Sequence, residues 1–122
     1  MFTCVIQYEV DPSRIAEFRD YARAWIGLIE KYGGTHHGFF SPPTAAEKPH
    51  MPDPAFSFEG LGASAPPNRG FALFSFASVA AYESYRARVA DDPACIDATA
   101  RFEENSCFLS YQRSFTTPVR PE

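Results

Sequence analysis

Two stretches at opposite ends of the chain alternate in polarity, and this pairing constrains the fold more than any other feature. Residues 2–10 (FTCVIQYEV) set Phe2, Cys4, Ile6, Tyr8 and Val10 on one side and Thr3, Val5, Gln7 and Glu9 on the other. A period of two is that of a strand covered on one face. Residues 107–115 (CFLSYQRSF) repeat the pattern, with Cys107, Leu109, Tyr111, Arg113 and Phe115 opposed to Phe108, Ser110, Gln112 and Ser114. A strand at each end must be joined by whatever the middle folds into.

The middle changes period. Asp11 can cap a helix with Pro12 at its first position, and Ile15, Phe18, Ala22, Trp25, Ile29 and Tyr32 then recur at three- and four-residue steps until Gly33-Gly34. Thr35–Ser41 (THHGFFS) and Gly70–Phe76 (GFALFSF) read as two further strands. Ser78 can cap a second helix with Val79, Tyr82, Tyr85 or Arg86, and Val89 inward. Asp92-Pro93 starts a third helix, running to about Asn105 and burying Cys95, Ala98, Thr99 and Phe102. Residues 42–69 hold seven of the eleven prolines, so they are expected as an extended flap, anchored by Phe56 and Phe58, rather than a tight hairpin.

The resulting order β-α-β-β-α-β is the ferredoxin-like split arrangement, an α+β fold with a four-stranded antiparallel sheet. Right-handed crossovers set the first strand beside the third and the fourth. Helices cover one face, leaving Val5, Gln7, Glu9, Ser110 and Gln112 on the other, and two such faces packed together would enclose a barrel between subunits. At 122 residues a single domain over residues 1–122 is expected. Twelve Phe, six Tyr and one Trp exceed what a small core readily hides, which fits a homodimer, a ligand pocket, or both.

Composition narrows the function classes. The net charge of −4 and the absence of a basic run argue against nucleic-acid binding. No apolar stretch is long enough to span a membrane and no leader-like segment opens the chain, so a cytoplasmic protein is expected. Cys4, Cys95 and Cys107 form no C-x-x-C pair, so three reduced, buried thiols are expected, with Cys4 and Cys107 at opposite ends of the sheet. No nucleotide, phosphate, zinc-protease or serine-hydrolase motif is present, so neither a cofactor nor a metal is expected.

The runs GGTHHGFF (Gly33–Phe40), ALFSFASVAAYESYR (Ala72–Arg86), DDPAC (Asp91–Cys95) and YQRSF (Tyr111–Phe115) together resemble the bacterial NIPSNAP-like proteins of the dimeric α/β-barrel superfamily. The resemblance covers nearly everything except residues 42–69, an insertion longer than the hairpin it replaces. It implies the fold and the dimer. The wider superfamily includes cofactorless monooxygenases, lactone isomerases, cyclases and haem-binding enzymes, so it does not select a reaction. The haem-binding members carry an axial His on a helix; neither helical region here has one.

His36-His37 is the sharpest chemical feature, since imidazole suits proton transfer near neutral pH. Neighbours on a strand point to opposite faces, so the two should not chelate one metal. Face polarity directs Thr35, His37, Phe39 and Ser41 into the barrel and His36 to the helices, unless a bulge beside Gly38 reverses the order. His37 and Glu9 are the candidate acid/base residues, and His36, Gln7, Phe39 and Gln112 the candidate ligand contacts. Structural roles compete with each: satisfied hydrogen bonding for the imidazoles, a solvated strand end for Glu9, and core or interface packing for Trp25, Tyr8, Tyr82, Tyr85 and Tyr111. Arg113 falls on the helix-side face, where it should emerge at an edge or meet a carboxylate. The leading expectation is a dimeric barrel that binds a small aromatic or apolar ligand, with cofactor-independent oxygenation or isomerisation as its chemistry if it is an enzyme. The competing one is a non-catalytic protein-interaction or scaffold module.

Overall fold

The computed structural model describes residues 1–51 and 68–121; Phe56 and Phe58 lie outside the described residues. The elements are β1 (Phe2–Val10), α1 (Ile15–Lys31), β2 (Thr35–Phe40), β3 (Arg69–Phe76), α2 (Val79–Val89), α3 (Pro93–Asn105) and β4 (Phe108–Thr116). The strands form one antiparallel sheet in the order β2-β3-β1-β4, which sets β1 between β3 and β4 as the crossover argument requires.

Local chemistry fixes the helix ends. The Asp11 carboxylate accepts from the Ser13 N–H at 2.9 Å, and Pro12–Arg14 form a 3-10 turn before α1 begins. At the other end the Gly34 N–H donates to the Ile29 carbonyl and the Gly33 N–H to the Glu30 carbonyl, with Gly33 at φ 96, a conformation that favours glycine. Ser78 caps α2 through the Ala81 N–H and Asp92 caps α3 through the Ala94 N–H. Asp92 also accepts from Lys31 Nζ and the Tyr32 hydroxyl, tying the end of α1 to the start of α3.

The core lies between the helices and one face of the sheet. Phe18, Phe76, Ile29, Val10, Cys4 and Cys107 are its largest fully buried side chains. Tyr8 stands at its centre, edge-on to Phe18 and Phe108 and stacked on Phe39. The three cysteines are free and buried, and Cys4 pairs with Phe115 at the far end of β4 from Cys107. Two inward assignments differ from expectation. Val79 is 63% exposed, since the inner stripe of α2 starts at Tyr82, and Thr99 is exposed because α3 presents Cys95 and Ala98 inward.

Two bulges revise the strand faces. Opposite β3, His36 pairs with Phe74 and Gly38 with Leu73, so His37 is an extra residue and every side chain beyond it changes side. Phe39 therefore turns to the helices, not into the open face. Opposite β1, Glu9 pairs with Ser110 and Val10 with Phe108, leaving Leu109 as the extra residue. Phe108 enters the core and Leu109 is 65% exposed, the reverse of strict alternation. No helix of the described residues is long and apolar enough to cross a membrane.

Candidate functional site

The uncovered face of the sheet carries most of the residues singled out from the sequence. There Thr3, Val5, Gln7 and Glu9 of β1 lie beside Ser75, Leu73, Phe71 and Arg69 of β3 and Thr116, Ser114, Gln112 and Ser110 of β4. β2 adds Thr35, His37 and Phe40. His37 Nε2 lies 2.7 Å from Ser75 Oγ, which in turn lies 2.7 Å from Thr3 Oγ1, a short hydrogen-bonded chain at one end of the face. Glu9 is at the other end, accepting from Ser110 Oγ at 3.0 Å. The two are separated by the span of β3 from Arg69 to Ser75, about 20 Å of extended chain, so within one chain they do not form a proton-transfer pair. Gln7 and Gln112 face each other across β1 and β4 and share a polar cleft with Glu9 and Arg69.

His36 points to the helices, as read from the sequence, and stacks on Phe39. Its Nε2 is buried with no hydrogen-bond partner among the described residues, and burial lowers its pKa below the ordinary imidazole value.

On the covered face, a cavity of about 270 Å³ lies between the sheet and the helices. Its floor is Ile6, Tyr8, Phe39, Phe74 and Arg113, and its roof is Tyr21, Trp25 and Ile29 of α1 with Tyr82, Tyr85, Arg86 and Val89 of α2 and Cys95 and Thr99 of α3. Helical periodicity explains the roof: Tyr21, Trp25 and Ile29 are spaced by four, as are Tyr85 and Val89, so each row projects toward the sheet. Large flat rings on both layers meet at edges and tilts, which leaves space that aliphatic side chains would fill.

The polar side chains of this cavity are tyrosines, Thr99, Cys95, the Trp25 indole and two arginines, all of which can donate. Burial, the largest cause, raises the pKa of Tyr8 well above the ordinary phenol value and that of Tyr85 likewise, and pushes Tyr21 up to about 12. All three stay protonated at physiological pH. Among the described residues the buried Trp25 indole N–H meets no acceptor at hydrogen-bonding geometry, although it lies close enough to the Tyr21 hydroxyl to moderate that group's shift. Arg113 is the cation that opposes the burial effect at Tyr8, Tyr21, Tyr85 and Cys4. Among the described residues no carboxylate and no imidazole lines the cavity. It can therefore hold an apolar, planar body and donate to its oxygens, and it brings no base of its own.

Of the residues picked out in the sequence as functional, only Phe39 lines this cavity. The others lie on the open face, except His36. Trp25, Tyr82 and Tyr85 read as core or interface in the sequence because aromatics at helical spacing ordinarily mean core, and Tyr21 falls outside the stripe assigned there to the first helix. The signal that was present is Arg113, a cation in the apolar register of β4 with no acidic residue in the helix stripes to meet it.

Among the described residues no group of three or more His, Cys, Asp or Glu gathers to hold a metal ion. No family model and no curated protein sequence matches the chain. The fold recurs among solved structures. A NIPSNAP family protein of unknown function from Agrobacterium tumefaciens superposes with a TM-score of 0.69 at 15% identity, covering 100% of this chain and 91% of that one. An uncharacterized NIPSNAP domain protein from Burkholderia xenovorans gives 0.66 at 16% identity, with coverage of 98% and 95%. A candidate antibiotic biosynthesis monooxygenase from Nitrosomonas europaea gives 0.62 at 6% identity, with coverage of 98% and 100%. The chain thus has the ferredoxin-like fold of NIPSNAP and antibiotic biosynthesis monooxygenase-like dimeric α/β-barrel proteins, and identities this low establish the fold alone.

Proposed function

We infer, from this shared fold and from the cavity, that the chain is a small-molecule-binding homodimer whose ligand sits between the sheet and the helices of each subunit. The observation that carries the reading is an aromatic-walled space of about 270 Å³ between the sheet and the helices, partly open to solvent. The space is lined by rings and hydroxyls together, so a ligand can lay an aromatic body against Tyr8, Phe39 and Trp25 while its oxygens meet the polar atoms of the walls. The size suits a molecule of one or two rings.

The open face supports the dimer. Phe40 is 53% exposed there, and Val5, Phe71 and Leu73 form an apolar stripe among polar neighbours, which a second copy packed face to face would cover. His37, Glu9, Gln7 and Gln112 would then line an inter-subunit interior. His37, already joined to Ser75 and Thr3, is the base we would assign if the protein catalyses a cofactor-independent oxygenation or isomerisation there. Because the cavity itself holds no base, binding is the conclusion and catalysis the extension of it.

The test uses Trp25, the one tryptophan of the sequence. Small aromatic compounds are screened by thermal shift, and the hits are followed through Trp25 emission in the parent protein and in Thr99→Phe, which places a bulky ring at the exposed mouth of the cavity. Hits that shift Trp25 emission and lose affinity in Thr99→Phe support the reading. Hits that stabilise the protein, leave Trp25 unchanged and bind Thr99→Phe normally overturn it.

A further inference from the structure

We propose that the cavity selects an aromatic carboxylate, with the carboxylate held at the mouth between Arg113 of β4 and Arg86 of α2. This rests on the cavity being the ligand site. Both charged side chains of the lining are arginines. Among the described residues neither takes part in an ion pair, whereas Arg14, Arg19, Arg23 and Arg101 each do.

The fold brings the two together. α2 runs back along β3, Tyr82 over Phe76 with ring centroids 5.3 Å apart and Tyr85 between Phe76 and Phe74 at 4.9 and 6.4 Å. β3 and β4 are both antiparallel to β1 and hence run alike, so α2 also runs counter to β4. Tyr82 and Phe115 touch across the layers at 5.5 Å. From that contact Arg86 lies one helical turn on, about 6 Å along α2, and Arg113 lies two residues back, about 6.6 Å along β4. These are the same direction and nearly the same rise. Each keeps the face of the residue it is counted from, so both side chains stand on one side of the Tyr82–Phe115 contact, where the cavity begins.

Two guanidinium groups at one rim repel each other, and among the described residues no carboxylate in the lining compensates. A planar oxyanion would, because each guanidinium presents a fork that matches a carboxylate. A carboxylate is favoured over a phenol because it is fully ionised at neutral pH, whereas a phenol near pKa 10 is not. The rings of Tyr8, Phe39, Trp25 and Tyr85 then take the aromatic body.

The test compares 4-ethylbenzoate with its neutral isostere 4-ethylbenzamide by calorimetry and Trp25 emission, in the parent protein, Arg113→Met, Arg113→Lys and Arg86→Met, each checked for an unchanged circular dichroism spectrum. The proposal predicts that the acid binds about tenfold more tightly than the amide in the parent. Arg113→Met and Arg86→Met each remove most of that preference while leaving amide binding within about twofold, and Arg113→Lys restores part of it. Equal binding of acid and amide with a Trp25 response, or a preference that survives both methionine variants, overturns the carboxylate assignment and leaves the cavity as the site. Failure of both compounds to alter Trp25 emission at millimolar concentration overturns the cavity reading itself, and the carboxylate assignment with it.

Discussion

The imidazole of His36 lies flat on the ring of Phe39, with centroids 5.5 Å apart and planes inclined by 12°. Residues three apart on a strand cannot share a face unless a residue is inserted between them, and the bulge at His37 does so. The stack buries an imidazole whose Nε2 has no partner, so the neutral form is favoured in the fold. With the folded pKa below the unfolded value near 6.5, the unfolded chain takes up the proton first as pH falls. Stability is intact above about pH 6.5 and declines as pH drops from there through the folded pKa. His36→Phe should lose less thermal stability than the parent between pH 7.5 and 5.5, and be at least as stable at pH 7.5. Equal losses in both proteins would contradict this.

Gly38, next to that bulge, has φ 150, and a Cβ built there would fall 2.5 Å from the Phe40 ring, which lies over it. Gly38→Ala should cost about 1–3 kcal/mol in urea unfolding, from the backbone conformation and the clash together. Phe40→Ala in the same chain should recover part of that loss by removing the clash. A neutral Gly38→Ala would mean the bulge shifts without cost.

The strand order, the helix caps and the central place of β1 were legible because each rests on a local rule: alternation, an Asp-Pro start, a Gly-Gly stop. The bulges were not, because an inserted residue leaves the composition of a strand unchanged and shows only in its pairing. One inserted residue moved Phe39 from the open face to the cavity floor, and another exchanged Leu109 for Phe108 in the core. The site was half legible for a related reason. His37, Glu9, Gln7 and Gln112 drew attention by polarity and do share the open face, while the cavity is made of rings at core spacing. A packing defect between two well-patterned layers has no one-dimensional signature.

The segment after β2 is fastened to α1 by one side chain. Arg19 donates to Ser41 Oγ at 2.7 Å, to the Pro42 carbonyl at 3.1 Å, and to both Glu47 oxygens, at 2.6 and 3.1 Å. The Arg19 guanidinium, the largest influence, holds the Glu47 carboxyl at about 2, and the Thr44 N–H adds to it. Arg19→Met should raise hydrogen exchange at residues 42–51 while the protection of β1 and β3 is unchanged. Exchange rising across the sheet as well would show that this contact supports the fold as a whole.

The open face predicts a dimer. Light scattering at micromolar concentration should give twice the 13.6 kDa of one chain. Leu73→Glu, which sets an unpaired carboxylate on the apolar stripe, should shift the species toward monomer without unfolding it. A parent protein that stays at 13.6 kDa would remove the face-to-face barrel.

The most direct measurement is a crystal structure with an aromatic acid bound. The ring is expected between β1 and α1, in contact with Tyr8 and Trp25, with the carboxylate within hydrogen-bond distance of Arg113. A ligand held instead on the open face beside His37 or Glu9, with the space under α1 closed by the side chains that line it, would contradict the account.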